Sequence, residues 1–325
     1  MLLLTREDLE KVLAMREVIE AVEKAFLELY HEKAKVPLRT ILEVEKHNGF
    51  LLYMPSYLES SEALAVKVVS LYPENPKKGI PSVLASILLN DPETGKPLAF
   101  MEGTYITAMR TGAASGVATK YLARKDAKTV GIIGAGVQAR TQLWAVYEVR
   151  NIEKAYVYDI NKEKSQNFAD EMSKKFGVEI DVVESPKEVA ENSDILIIAT
   201  TARKPVLRGE WVKEGTHINS IGWVGKDARE LDSETVKKSK LVVDSREGVL
   251  NESGDIIIPI KEGIIDETHI YAELSELVAG AKKGRDNDRE ITLFKSVGLA
   301  IEDAITAKLA YEKALKLGIG THVEL

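Results

Sequence analysis

The chain has 325 residues, 45% of them hydrophobic and 29% charged, with a formal net charge of −7 and no cysteine. That length gives room for two domains. The acidic balance without a basic run excludes a nucleic-acid partner, and the missing cysteine excludes disulfides, cysteine-bound zinc and a thiol nucleophile.

At the N-terminus, Met1-Leu-Leu-Leu-Thr-Arg6 lacks the basic region, long apolar core and cleavage site of a signal peptide. Apolar runs are short and interrupted throughout, so no membrane span and a cytoplasmic protein are expected. Thr5-Arg-Glu-Asp8 reads as a capped helix start. Residues 15–33 carry Val18, Ile19, Val22, Phe26 and Leu29 on one face at helical spacing, and Pro37 ends that region. Strand-like stretches follow at 39–44, 50–54, 63–71 and 83–90. Asn48-Gly49 reads as a hairpin turn, and Asp91-Pro-Glu-Thr-Gly95 as a turn into 97–101. Together they predict a largely antiparallel sheet with helices on one side. From Thr104 to Leu122 the composition changes to Ala, Gly, Thr and Ser, a helix built for close packing, and a domain boundary is expected near residue 122.

The most informative stretch comes next. Thr129 to Ile133 is a short apolar strand. It runs into Gly134-x-Gly136-x-x-Ala139 and then into a helix containing Leu143, Trp144, Val146 and Tyr147. Gly134 allows a tight turn, Gly136 lets the backbone approach a pyrophosphate, and Ala139 keeps the helix near the strand. The free N–H groups at the helix start hold phosphates. A second strand at 155–158 ends in Asp159, where such folds accept hydrogen bonds from an adenosine ribose. A tight turn in a fold that binds no nucleotide is the alternative reading.

The remainder alternates helix and strand. A helix at 162–176 is closed by Gly177, and Ser185-Pro-Lys-Glu188 reads as a capping box. Strands fall at 179–183, 195–199, 217–221 and 241–243, with Thr200 just past the end of one. This alternation predicts a parallel sheet with helices on both faces. Phe294 to Asp303 reads as the start of a long small-residue helix that reaches about Leu317 and crosses back to the first domain. The five His, His31, His47, His217, His269 and His322, show no metal-ligand spacing, so no metal is expected.

Three cations are candidates for chemistry. Lys67 interrupts the apolar strand Ala63-Leu-Ala-Val-Lys-Val-Val, and pattern alone favours solvent exposure for it. Arg110, in Met109-Arg-Thr-Gly-Ala113, either holds a carboxylate in a cavity or pairs structurally with an acidic residue. Arg39 precedes a strand, and simple exposure is the stronger reading for it.

Gly134-Ala-Gly-Val-Gln-Ala139, Met109-Arg-Thr-Gly-Ala113 and Ile291-Thr-Leu-Phe-Lys-Ser-Val-Gly-Leu-Ala-Ile-Glu-Asp303, with Pro37-Leu-Arg-Thr40, Met54-Pro55 and Val243-Asp-Ser-Arg246, resemble the ornithine cyclodeaminase/mu-crystallin family. The resemblance covers essentially the whole chain. It implies an α/β protein: a Rossmann-type doubly wound parallel sheet at 123–296, and a discontinuous α+β substrate-binding and dimerisation domain at 1–122 and 297–325. It implies a homodimer, and a small imino or amino acid as substrate. It places Arg39, Lys67 and Arg110 at the substrate carboxylate, with Met54 and Val297 nearby. It places Ser82, Arg110, Thr111, Gly134, Gly136, Val137, Gln138, Asp159, Thr200, Ile221, Gly222 and Ser296 at the cofactor. Lys67 and Arg110 are then the catalytic pair. NAD(H) is the expected cofactor, since Asp159 repels a 2′-phosphate, with NADP(H) a weaker second.

One departure from the family pattern narrows the reaction. Where cyclodeaminases carry an acidic proton donor, this sequence has Val224, and Asp227 matches the mu-crystallin-like branch instead. Valine transfers no proton. The sequence therefore predicts NADH-dependent reduction of a cyclic 2-imino acid, such as Δ1-pyrroline-2-carboxylate to L-proline or the homologous Δ1-piperideine-2-carboxylate. Alanine dehydrogenase, ornithine cyclodeaminase and a non-catalytic ligand-binding protein are the alternatives.

Overall fold

The computed structural model describes residues 1–222 and 225–324. The chain divides into two compact units, Met1–Arg110 with Leu299–Leu325, and Thr111–Gly298. The division falls inside the helix Gly103–Leu122, earlier than the change of composition suggests.

In the first unit the sheet runs in the order Thr321–His322, Leu2–Leu4, Pro97–Glu102, Val83–Asn90, Ala63–Leu71, Gly49–Leu58 and Ala34–Lys35, with Thr40–Val44 also pairing Gly49–Leu58. Leu2–Leu4 and Pro97–Glu102 are parallel, and the other pairs are antiparallel. The hairpin before Gly49 is not a plain two-residue turn. A 3-10 turn at Glu45–His47 ends in Asn48 with φ 47°, a left-handed conformation that asparagine tolerates. The helix Arg6–Val12 starts on the expected reciprocal cap between Thr5 and Asp8. Met15–Tyr30 buries Val18, Ile19, Val22 and Phe26, as its spacing requires.

The last helix of this unit is Ala300–Leu317. It lies on the central strands and against Met15–Tyr30. Its buried alanines, 300, 304, 307, 310 and 314, permit that close approach. The helix expected to begin at Phe294 does not. Ile291–Lys295 is instead a strand, and Gly298 turns the chain at φ 83° before the helix starts. A short apolar run does not distinguish a buried strand from a buried helix by periodicity.

Among the described residues, the sheet of the second unit has eight strands, all parallel: Glu179–Val182, Lys154–Tyr158, Thr129–Ile133, Ile195–Ile198, His217–Ser220, Ile291–Lys295, Ser239–Val243 and Ile270–Glu273. The chain enters at Thr129–Ile133, builds outward to one edge, then returns to build the other way. This is a doubly wound α/β sheet, and its switch point lies between Thr129–Ile133 and Ile195–Ile198, where such sheets bind ligands at the strand C-termini. Helices between the strands cover both faces, in two apolar clusters. The Ser185 cap departs slightly from its expected form. Ser185 accepts from Glu188 N, while Glu188 accepts from Glu184 N rather than from Ser185.

Candidate active site

In the second unit the chain leaves Thr129–Ile133 through Gly134, whose φ is 97°. A Cβ there would lie 2.4 Å from the Ala199 carbonyl oxygen, so the turn and the close approach both require glycine. Gly136 caps the helix Val137–Val149 without a side-chain hydrogen bond. A Cβ on it would meet nothing within 4 Å. No side-chain oxygen caps the first N–H groups of that helix, and such groups suit a phosphate. Gln138, in the first turn, holds a buried Oε1 with no partner. Asp159 ends Lys154–Tyr158 and is oriented by two backbone donors, Ala135 N at 2.9 Å and Asn161 N at 2.9 Å. A carboxylate has about four acceptor positions, so two remain for ribose hydroxyls. These residues fit a dinucleotide: Gly134, Gly136, Val137 and Gln138 toward the phosphates, Asp159 toward the ribose.

Beneath the neighbouring strand ends lies a buried polar network that the sequence reading missed. Glu230 Oε1 accepts from Thr200 N at 2.8 Å and from Thr200 Oγ1 at 2.5 Å. Burial pushes the Glu230 carboxyl up, against the pull of Lys295. Asp255 accepts from the backbone N–H of Glu230 and Leu231, and its other oxygen meets Lys295 Nζ at 2.8 Å. Lys295 also donates to the Gly222 carbonyl at 2.7 Å and faces Ser220 Oγ at 3.3 Å. Thr200 and Gly222 are thus held by charged groups fixed below them. Asp244 does the same for Ser296, Val297 and Gly298, taking Ser296 Oγ at 2.8 Å, Val297 N at 2.8 Å and Gly298 N at 2.6 Å. His217 is a core residue between Thr292 and Asn219. Burial lowers its pKa to about 3, so it is neutral.

The first unit holds the cations. Lys67 is only 1% exposed, which overturns the exposure that its pattern favours. The strand is buried on the face carrying Ala63 and Ala65, and the two-residue period puts Lys67 on that face. Its Nζ lies 2.5 Å from Asp303 Oδ2. Arg110, also buried, donates Nε to Asp303 Oδ1 at 3.0 Å and Nη1 to Glu302 Oε2 at 2.9 Å. Glu302 Oε1 accepts from Leu299 N at 2.9 Å, capping its helix. Two cations and two carboxylates thus sit together in a buried cluster. Burial and the Arg110 charge lower the Lys67 pKa to about 8, while Asp303 and Glu302 oppose them.

The structure brings Lys67 and Arg110 together, with Met54 opposite Lys67 on the next strand. Arg39 is half-buried just before Thr40–Val44, and Ser82 just before Val83–Asn90. Thr111 offers its carbonyl to Gln142 Nε2 at 2.9 Å. Ile221 and Gly222 follow His217–Ser220 directly. Val224 lies outside the described residues, and Asp227 is exposed. Glu302 and Asp303 were visible only as the acidic end of a motif. Their signal was two adjacent carboxylates at the start of an alanine-rich, otherwise apolar helix. Among the described residues, no group of His, Asp and Glu could hold a metal ion, and no helix is long and apolar enough to cross a membrane.

Residues 1–318 match the sequence model of the ornithine cyclodeaminase/mu-crystallin family. A Delta(1)-pyrroline-2-carboxylate reductase of Bacillus cereus is 42% identical over 325 residues, all of both chains. The structure of Thermococcus litoralis Delta(1)-pyrroline-2-carboxylate reductase in complex with NADH and L-proline is 80% identical, with a TM-score of 0.97, covering 99% of this chain and 100% of that one. An archaeal alanine dehydrogenase dimer with bound NAD is 42% identical, with a TM-score of 0.94, covering 100% and 99%.

Proposed function

The chain belongs to the ornithine cyclodeaminase/mu-crystallin family, and from that premise we propose that it reduces a cyclic 2-imino acid, Δ1-pyrroline-2-carboxylate, to L-proline. The observation that carries this reading is the buried Lys67 ammonium beside Arg110, with its pKa lowered to about 8. The family match and the likeness to the reductases support it.

NADH, when bound, supplies the hydride. Gly134, Gly136, Val137 and Gln138 would hold its phosphates and Asp159 its ribose, and Thr200, Ile221, Gly222, Ser82, Thr111 and Ser296 would contact it further along. Asp159 disfavours a 2′-phosphate, because a second negative charge there is repelled. Lys162 does little to relieve this, since its ammonium meets Glu184 at 2.6 Å. Arg110 and Arg39 orient the substrate carboxylate, with Met54 and Val297 beside the ring. Fixing the carboxylate raises the fraction of substrate in a reactive geometry.

Lys67 gives a proton to the imine nitrogen as the imine carbon gains the hydride, and Lys67 leaves the step as a neutral amine. Solvent restores the proton. A pKa near the working pH suits a group that must both give and regain one. In the reverse direction the neutral amine takes the proton from L-proline, so oxidation is favoured at high pH.

We further propose that two copies pair through the first unit. Leu38, Ile41, Leu42, Ile80, Val83 and Leu84 are exposed apolar residues, with Leu42 and Leu84 in one row across the sheet through Leu51 and Ser70, and exposed apolar surface of this kind marks an interface. Light scattering is expected to give twice the 35.9 kDa chain mass, and a monomer would remove this proposal.

The reaction is tested by loss of the NADH absorbance with Δ1-pyrroline-2-carboxylate, Δ1-piperideine-2-carboxylate, pyruvate with ammonia, and by ammonia release from L-ornithine. Fast loss with a cyclic imine, slower loss with pyruvate and ammonia, and no release from ornithine are expected. Robust release from ornithine would move the assignment to cyclodeamination.

A further inference from the structure

One carboxylate in the cation cluster has two duties. Lys67 stands in an apolar row, with Met54 and Ile87 across from it in the sheet and Met101 beyond, all buried. Neither strand beside it brings a charge there. The charges that face it come from two helices: Arg110 on Gly103–Leu122, and Glu302 and Asp303 in the first turn of Ala300–Leu317. Glu302 is committed to the helix cap and to Arg110. Asp303 gives one oxygen to Arg110 Nε and the other to Lys67 Nζ.

Resting on the reading of Lys67 as proton donor, we propose that Asp303 is a positioning residue for imine reduction: its carboxylate ties the Lys67 ammonium to the Arg110 guanidinium, so that Lys67 enters each turnover charged and aimed. Through the cycle the substrate gains a hydride at carbon and a proton at nitrogen. Lys67 loses that proton and takes one back from solvent, while Asp303 keeps its contact with Arg110 Nε. Without the Asp303 charge, Lys67 would keep only burial and the Arg110 repulsion against the weaker help of Glu302. An opposite charge at this range raises an ammonium by about 1–3 pKa units.

The test compares the full-length protein with Asp303→Asn and Asp303→Glu. kcat/KM for Δ1-pyrroline-2-carboxylate at saturating NADH is followed against pH, and NADH affinity by fluorescence. The wild type should lose activity above about 8. In Asp303→Asn this limb should move down by about 1–3 pH units, so that activity at pH 7 falls about 2- to 90-fold while the loss narrows in acid. NADH affinity should not move, and Asp303→Glu should keep the limb near its wild-type place at reduced kcat. A limb that stays put in Asp303→Asn, with an equal loss at every pH, would make Asp303 merely structural and overturn the proposal. If Asp303→Asn does not fold, Asp303→Glu decides, because a wild-type kcat there removes any need for placement. Lys67→Arg separates the two layers, since arginine does not deprotonate. A wild type that reduces no cyclic imine, or a limb that survives in Lys67→Arg, defeats the reading of Lys67 itself rather than that of Asp303.

Discussion

Each unit buries one lysine, and the two look alike until their donors are counted. Lys295 and Lys67 are both 1% exposed, and each meets an aspartate. An ammonium has three N–H donors. Lys295 places them on Asp255, the Gly222 carbonyl and Ser220. Lys67 has, among the described residues, a single carboxylate oxygen in range and a guanidinium at its side. The first arrangement is closed and can only hold the chain in place. The second keeps donor capacity for a ligand. Burial of a charge is therefore not the mark of a reactive group, whereas incomplete pairing of a buried charge is.

The sharpest way to break this comparison is to replace each lysine by methionine. Lys67→Met is expected to lower kcat/KM for the imine about 100- to 10,000-fold, the usual range for removing a general acid, while Arg110 still balances Asp303. Lys295→Met should act on the fold instead, costing about 3–5 kcal/mol in chemical denaturation because Asp255 is left unpaired. Near-normal turnover in the first variant, or unchanged stability in the second, would erase the distinction.

Arg110→Ala comes next. The proposed buried, charged contact to the substrate carboxylate would be worth about 2–4 kcal/mol, or roughly 30- to 1000-fold in kcat/KM. NADH affinity, measured by fluorescence, should stay close to wild type. Wild-type kinetics would take Arg110 out of the site.

A pH profile sharpens the comparison without mutation. Lys67 titrates below its usual value of 10.5, at about 8. Reduction needs the ammonium, so its rate should be flat below that pH and fall about tenfold per unit above it. Proline oxidation needs the amine and should rise over the same window. The same direction of change in both would sink Lys67 as the shared proton carrier. The smallest effect concerns the second unit: NADH should exceed NADPH in kcat/KM by about 10-fold, and parity would mean that Asp159 does not face the ribose.

The dinucleotide unit was legible because its signals are local. Strand, turn and helix are adjacent in the chain, and Gly134, Gly136 and Asp159 each stand at a position that the backbone dictates. The cation cluster was not, because its members meet only through folding: Arg110 and Asp303 are 193 residues apart. Lys67 read as exposed because a lone lysine in a strand usually is, although its register with the buried Ala63 and Ala65 already pointed inward. Phe294 read as helical because the strand Ile291–Lys295 is too short to show a period. Lys295, in that strand, drew no attention. Only its neighbours Asp255, Ser220 and Gly222 give it a meaning.

The order in which the chain is made has a consequence for this cluster. The second unit is one unbroken stretch, Thr111–Gly298, while the first needs both ends of the chain. Met1 donates to the Val323 carbonyl, and Leu2 and Leu3 pair with His322 and Thr321. Domains usually fold from the N-terminus during synthesis. Here the ribosome releases Lys67 and Arg110 early, yet their counter-charges come after the whole second unit. We expect nascent chains arrested after Gly298 to protect the second unit from protease and leave the first open to it. Protection of both would show that the sheet closes without Asp303. If the expectation holds, Lys67 and Arg110 spend most of translation without the carboxylates that face them in the folded chain.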